Sequence, residues 1–293
     1  MSGTTQSLEF YNKYGTRLAA DQGYFGVVED AAYGAPPLTI QAEPNSGTYG
    51  ARVLSFAAEA RPLVYQIKYG NPSQGTTIYY ATRKALMDFF TVWGAPFRVI
   101  KTLPNGRRYE LRDVYPEPGI TLESEATNTD GIIVTGMTLT AYNPIWRATT
   151  PTTVQVTSFN PEQMVYEKSY PAYYEGADTG SITPIVYSGN WPAYPTMRIY
   201  APFTSAILTN QFGNILAFYI STSTDRIVSF NPYDGFSVVD PDGTNKLGEL
   251  TISSTFEGFA MFPGETYNLR FSVSGSSSNT VLDLTYYEQF IGL

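Results

Sequence analysis

The chain has 293 residues, 43% hydrophobic and 15% charged, enough for one large or two ordinary domains with a sizeable core. It holds no Cys and no His, which excludes disulfides, thiolate nucleophiles, Cys- or His-ligated zinc, imidazole triads and the usual proton shuttle near pH 7. The net charge of −8 is unevenly placed: residues 1–148 carry 13 Lys and Arg against 13 Asp and Glu, residues 149–293 only 5 against 13, which speaks for two units with different surfaces and against non-specific nucleic-acid binding.

Aromatics are 15% of the chain, with 24 Tyr and 17 Phe, and Gly and Pro punctuate it throughout, so the pattern leans to β-structure. The N-terminus MSGTTQSLEF lacks the basic start and apolar stretch of a secretory signal, and no apolar run is long enough for a membrane span. Residues 1–35 are polar with scattered aromatics and suit short strands or an extended arm. Ala35-Pro36-Pro37 then forces extended backbone. Arg52–Ala58 and Pro62–Tyr69 read as strands, the second alternating Leu63, Tyr65 and Ile67 with Val64, Gln66 and Lys68. Thr77 to Gly94 is the one long amphipathic helix pattern, about 77–93. Ile78, Ala81, Ala85, Leu86, Phe89 and Trp93 fall on one stripe, and Lys84 can pair with Asp88 one turn on. Gly94 suits a left-handed C-terminal residue, and Pro96 stops continuation.

A hairpin follows. Phe97–Ile100 and Arg108–Leu111 flank Asn105-Gly106, a dipeptide that accepts positive φ. Ile120–Glu125 and Ile132–Tyr142 are further strands, with Met137, Leu139 and Ala141 on one face. The first domain closes at Pro144-Ile145-Trp146, giving 1–148. Residues 149–180, rich in Thr, Pro and Tyr, form a linker, within which Thr153–Ser158 can still be a strand. Residues 181–293 contain about eight short strand patterns: 182–187, 196–201, 206–209, 214–221, 226–230, 249–255, 267–274 and 280–286. That spacing fits a sandwich or jelly roll. The fold class is therefore mainly β: two β-sandwich-like domains, the first carrying one helix, the second jelly-roll-like.

Chemistry is sparse. Asp240-Pro241-Asp242-Gly243 mimics the start of a calcium loop but lacks its twelfth-position Glu, so a hairpin turn explains it. Glu123 and Glu125 share one strand face, where solvation accounts for them as well as glycoside hydrolysis does. Tyr173, Tyr174, Trp191 and Tyr194 gather near the start of the second domain. Flat aromatics there can stack on sugar rings or simply pack among themselves. Arg107, Arg108 and Arg112 surround the Asn105 hairpin and can meet acidic surfaces. No residue is assigned a catalytic, cofactor-binding or metal-binding role. Edge strands and hairpins of one copy completing the sheet of the next would bury edges that otherwise aggregate. The candidate inter-subunit elements are the N-terminal arm and the hairpin Asn105, Gly106, Arg107, Arg108.

Dispersed features then point one way: Gly34-Ala35-Pro36-Pro37, Arg61 leading a strand, Gly70 and Ser73 before the helix, Arg83 and Leu86 within it, and Pro144-Ile145-Trp146. In the second half come Tyr187, Gly189, Trp191, Pro195 and Ile199, then Ile207 and Asn210, and the turn Phe262-Pro263-Gly264 with Tyr267-Asn268. Taken together the chain resembles the distal tail proteins of long non-contractile-tailed bacteriophages. The resemblance implies a structural, non-enzymatic virion protein of the tail tip, made in the bacterial host cytoplasm. It implies a homohexameric ring of first domains around a central channel, with the second domains, galectin-like or carbohydrate-module-like sandwiches, projecting outward. Genome DNA would pass through the ring without specific binding. The ring would join the tail tube protein to the tail-associated hub protein and anchor a receptor-binding protein, with no cofactor and no membrane. The alternative is a carbohydrate-binding module that takes host glycan in surface adhesion.

Overall fold

The computed structural model describes residues 7–20, 25–30, 34–44, 51–70, 75–117, 133–157, 182–230, 235–275 and 281–293. The chain divides into two compact units, Met1–Thr149 with Phe290–Leu293, and Thr150–Gln289. The chain thus passes between the units twice, and nothing in the sequence pattern marks the return.

Unit 1 contains β1 (Ser7–Tyr11), β2 (Arg17–Ala19), β3 (Phe25–Asp30), β4 (Leu38–Pro44), β5 (Ala51–Ala58), β6 (Arg61–Tyr69), helix α1 (Gly75–Phe89), β7 (Phe97–Thr102), β8 (Arg108–Tyr115), β9 (Ile133–Ala141) and β10 (Trp146–Ala148). The main path of its sheet runs β2-β1-β7-β8-β9-β6-β3, and β10 pairs with β8. The alternation in β6 holds along all nine residues: Leu63, Tyr65, Ile67 and Tyr69 are buried, and the residues between them are exposed. Met137, Leu139 and Ala141 of β9 are buried opposite, in register with Tyr65, Leu63 and Arg61. Phe10 on β1 meets Phe25 on β3 and Tyr65 on β6, with ring centroids 6.4 and 5.7 Å apart. Strands near opposite ends of the path therefore touch, so the sheet curls around its core. Each buried aromatic there contributes roughly 1.5–3 kcal/mol of burial free energy.

The helix corrects part of the sequence reading. It spans Gly75–Phe89 and is followed by a 3-10 turn, Val92–Gly94. Leu86 and Phe90 are buried, Phe89 is half-buried, Ala81 and Ala85 are exposed, and Trp93 is 81% exposed. Trp93 leaves the stripe because the helix stops four residues before it and the 3-10 turn advances three residues per turn instead of 3.6, whereas Ala81 and Ala85 are exposed within the helix itself. Gly94 is not left-handed. A Cβ there would lie 2.8 Å from the Phe89 carbonyl oxygen, so close approach is what demands glycine. Lys84 and Asp88 do pair, at 2.5 Å. No helix among the described residues is long and apolar enough to cross a membrane.

Unit 2 contains β11 (Thr152–Thr157), β12 (Ile182–Val186), β13 (Thr196–Ile199), β14 (Ser205–Asn210), β15 (Ile215–Phe218), β16 (Arg226–Ser229), β17 (Ser237–Val239), β18 (Thr266–Ser274) and β19 (Val281–Tyr286). They form two sheets, β11-β19-β13-β16-β17 and β12-β18-β14-β15. Alternate residues from both, such as Met197, Val228, Leu282 and Leu284 from one and Leu208, Leu269 and Phe271 from the other, enclose one core, as in a sandwich. The strand β20 (Gln289–Phe290) leaves this unit and pairs with β10.

Residues 249–255 do not form the expected strand. A 3-10 turn, Leu247–Glu249, leads into bends, and Ile252 is fully exposed. Ser254 explains this: its Oγ accepts the Ala217 N–H at 3.1 Å, and its own N–H bonds the Thr251 carbonyl. A side chain thus takes the place of a ladder bond. The Asp240 turn is a turn: Gly243 has φ 82°, and the Asp240 carboxylate accepts the Thr244 N–H at 2.8 Å.

Candidate functional site

The outward face of β1, β2, β7, β8 and β10 collects charge. Register places Glu9 opposite Ile100, Ile100 opposite Glu110, and Glu110 opposite Arg147, while Tyr11 lies opposite both Arg17 and Arg98. Two-residue alternation brings these side chains onto one face although they come from distant parts of the sequence. The Glu110 side chain is only 3% exposed and is held by Arg147 at 2.5 Å, Arg112 at 3.0 Å and Arg98 at 3.5 Å. Arg98 also lies over the Tyr11 ring, 4.6 Å from its centroid. Glu9 binds Arg17 at 2.8 Å and Arg108 at 2.7 Å, and accepts the Tyr11 hydroxyl. Burial alone would raise the Glu9 carboxyl, but the hydrogen bonds from Arg17 and Tyr11 and the charges of Arg108 and Arg17 outweigh it and hold its pKa below the ordinary value.

The same unit carries a separate two-stranded ribbon. β4 and β5 pair only with each other among the described residues. Every residue from Pro37 to Glu43 is exposed, including Leu38 and, at 60%, Ile40. Its base is tied by the Glu59 N–H to the Pro37 carbonyl at 2.8 Å and by Thr39 to the Glu59 carboxylate. An isolated two-stranded hairpin is marginal in water, and its free edges present unpaired N–H and C=O groups. A smaller apolar patch, Val92 and Trp93, sits next to the β1–β2 turn, fixed there by the Lys13 N–H to the Gly94 carbonyl at 2.9 Å.

Of the residues singled out in the sequence, Asn105, Gly106, Arg107 and Arg108 form an exposed turn. Gly106 has φ 80°, and the Asn105 Oδ1 accepts the Arg107 N–H at 2.9 Å. Arg108 and Arg112 belong to the arginine face. Arg98, Arg147, Glu9 and Glu110, which complete it, were not picked out, because only strand register reveals their proximity. Glu123, Glu125, Tyr173 and Tyr174 lie outside the described residues. Trp191 and Tyr194 are both half-buried on unit 2, and Tyr194 packs against its core. The Trp191 carbonyl accepts the Tyr187 hydroxyl at 2.6 Å, and the Trp191 N–H bonds the Gln289 carbonyl at 3.1 Å. Elsewhere on unit 2 a polar pocket of about 360 Å³ is lined by Thr209, Asn210, Gln211, Gly213, Asn268 and Arg270. Neither Trp191 nor Tyr194 lines it. No group of three acids gathers to hold a metal ion among the described residues.

Several of the dispersed features have structural work. The Tyr187 hydroxyl accepts the Gln289 N–H at 2.9 Å while donating to Trp191, and an added Cβ at Gly189 would lie 2.1 Å from that oxygen. Burial, the largest influence, pushes the Tyr187 hydroxyl well above its usual pKa. The Asn210 Oδ1 accepts the N–H groups of Phe212 and Asn214 at 3.0 and 2.9 Å, and its amide donates to the Gly258 carbonyl. Arg61 is 3% exposed and donates to the Ile291 carbonyl, which ties the returning C-terminal segment to unit 1. Its Nε and Nη1 have no partner among the described residues, and burial lowers its pKa to about 10.

No protein-family model matches the chain, and no curated protein matches it in sequence. Solved structures do match in fold. The SPP1 Dit (gp 19.1) protein, described as a paradigm of the hub adsorption apparatus in phages infecting Gram-positive hosts, aligns over 97% of this chain and 99% of its own, with 15% identity and a TM-score of 0.64. A chain of the phage P2 baseplate in its activated conformation with Ca aligns over 99% of this chain and 100% of its own, with 9% identity and a TM-score of 0.49. The same baseplate with Sr gives 96% and 98% coverage, 10% identity and a TM-score of 0.48. The chain thus has the fold of the SPP1 Dit protein along its whole length.

Proposed function

We propose that the protein is a non-enzymatic structural component of a bacteriophage tail tip, in which unit 1 assembles with copies of itself into a hexameric ring. The observation that carries this reading is the end-to-end fold match to a phage tail protein, covering both units and not one module. The bare β4–β5 ribbon supports it, because a two-stranded hairpin with an exposed Ile40 gains most by adding to a neighbour's sheet. The Asn105–Arg108 turn and the N-terminal arm are further inter-subunit elements in this proposal. The ring joins the tail tube protein to the tail-associated hub protein, anchors receptor-binding parts, and lets genome DNA through its channel without specific binding. The protein resides in the virion after synthesis in the bacterial cytoplasm. Negative-stain electron microscopy of the purified protein tests it: rings with a central hole are expected, and isolated particles of protomer size at micromolar concentration would overturn it.

A second reading is favoured by one feature, the pocket on unit 2 lined by the amides of Gln211 and Asn268, that of Asn210 being engaged with Phe212, Asn214 and Gly258. Amides converging on a pocket of this size suit a hydroxyl-rich ligand such as a host glycan. Glycan-array binding lost on Gln211→Ala or Asn268→Ala would establish it. Binding lost instead on Trp191→Ala would move the sugar site to the aromatic cluster.

A further inference from the structure

Building on that assembly reading, we infer that the arginine face of unit 1 is an electrostatic seam that takes carboxylates of a second copy of this chain. Arg98, Arg108 and Arg112 carry it, with side chains 42%, 45% and 48% exposed. Each is anchored to a carboxylate set into the sheet, Glu110 or Glu9, so the guanidiniums are held in place before any partner arrives. A guanidinium has five N–H donors, and one anchoring contact leaves others for a partner carboxylate, which it can grip bidentately. With Arg17 and Arg147, five guanidiniums meet two carboxylates in these pairs among the described residues, a surplus of three positive charges.

The complementary charge lies on the same chain. Residues 149–293 carry 13 Asp and Glu against 5 Lys and Arg, so every copy brings a carboxylate surplus that a neighbour's arginine face can meet. A polyanion such as duplex DNA is the competing occupant of this face.

The test is sedimentation velocity across a NaCl series for the wild-type protein and for Arg98→Gln/Arg112→Gln. The wild-type oligomer is expected to dissociate as salt rises, and the double variant at a NaCl concentration lower by about two-fold or more. Arg108→Gln, which acts through Glu9 instead of Glu110, is expected to move the midpoint the same way and stands in if the double variant does not fold. An oligomer whose salt midpoint is unchanged in both variants overturns the seam but leaves assembly intact. A wild-type protein that is monomeric at every salt concentration overturns the assembly reading as well. A fluorescent duplex bound tightly by the wild type, and released by Arg98→Gln/Arg112→Gln, would assign the face to nucleic acid and overturn the proposal.

Discussion

The two units solve the same folding problem but treat their arginines differently. Each encloses an aromatic-rich core with two-residue alternation. In unit 2 two prominent arginines have dedicated carboxylates. Arg226, almost wholly buried, grips both oxygens of Glu249 and donates to the Thr224 and Asp225 carbonyls, and Arg198 sends two nitrogens to Asp225. In unit 1 three arginines share one buried Glu110, β4 and β5 pair only with each other among the described residues, and Trp93 faces outward. The difference lies in the arginines: Arg198 and Arg226 of unit 2 each hold a separate carboxylate, while Arg98, Arg112 and Arg147 of unit 1 share one, and the proposed assembly would act through that surplus.

The cores should respond alike. Phe10→Ala in unit 1 and Phe271→Ala in unit 2, both side chains fully buried, should each cost about 3–5 kcal/mol in denaturant unfolding. A loss below about 1 kcal/mol in either would mean that the units differ in core quality and not only in surface. The arginines should diverge. Arg226→Ala strips a buried pair and should cost about 3 kcal/mol, whereas Arg112→Ala, half-exposed, should cost no more than about 1 kcal/mol in the isolated protomer. Equal costs in the same unfolding assay would erase the contrast.

Gly189→Ala should destabilise unit 2 by about 1–3 kcal/mol, because the new methyl meets the Tyr187 hydroxyl. Thermal unfolding followed by near-ultraviolet circular dichroism would report it. The smallest effect is expected in acid. The Glu9 pKa is depressed below its unfolded value of 4.5, so its stabilisation is fully present above 4.5 and is lost as pH falls through the lower folded value. Glu9→Gln should flatten the melting-temperature profile of unit 1 below about pH 4.5 and leave its shape at pH 6–8 unchanged. A steeper acid profile in the variant would show that the arginines do not favour the charged carboxylate.

Local rules made much of this fold legible. The alternation in β6 and β9 identified their buried faces, and Asn105-Gly106 placed the β7–β8 turn, because strand period and turn chemistry are properties of short stretches. The misses share a cause. Trp93 left its stripe when a 3-10 turn changed the phase, Ser254 replaced a strand with a side-chain bond, and residues 290–293 joined unit 1 through long-range contacts such as Arg61 with Ile291. The arginine face was half legible. Arg107, Arg108 and Arg112 stand together in sequence, but Glu110 looks like any outward residue until register sets Arg147 and Arg98 around it. Gly189 was noticed only as part of a resemblance, and the Tyr187 hydroxyl over it gives the physical reason.

The most direct measurement is the mass of the purified full chain by mass photometry at low and moderate salt. Assembly through unit 1 predicts a species near six times the 32.4 kDa protomer, lost when the ribbon residues Leu38 and Ile40 are both changed to Asp. A single species at protomer mass under all conditions, or a hexamer that survives those changes intact, would contradict the claim that the uncovered surfaces of unit 1 are where this protein works.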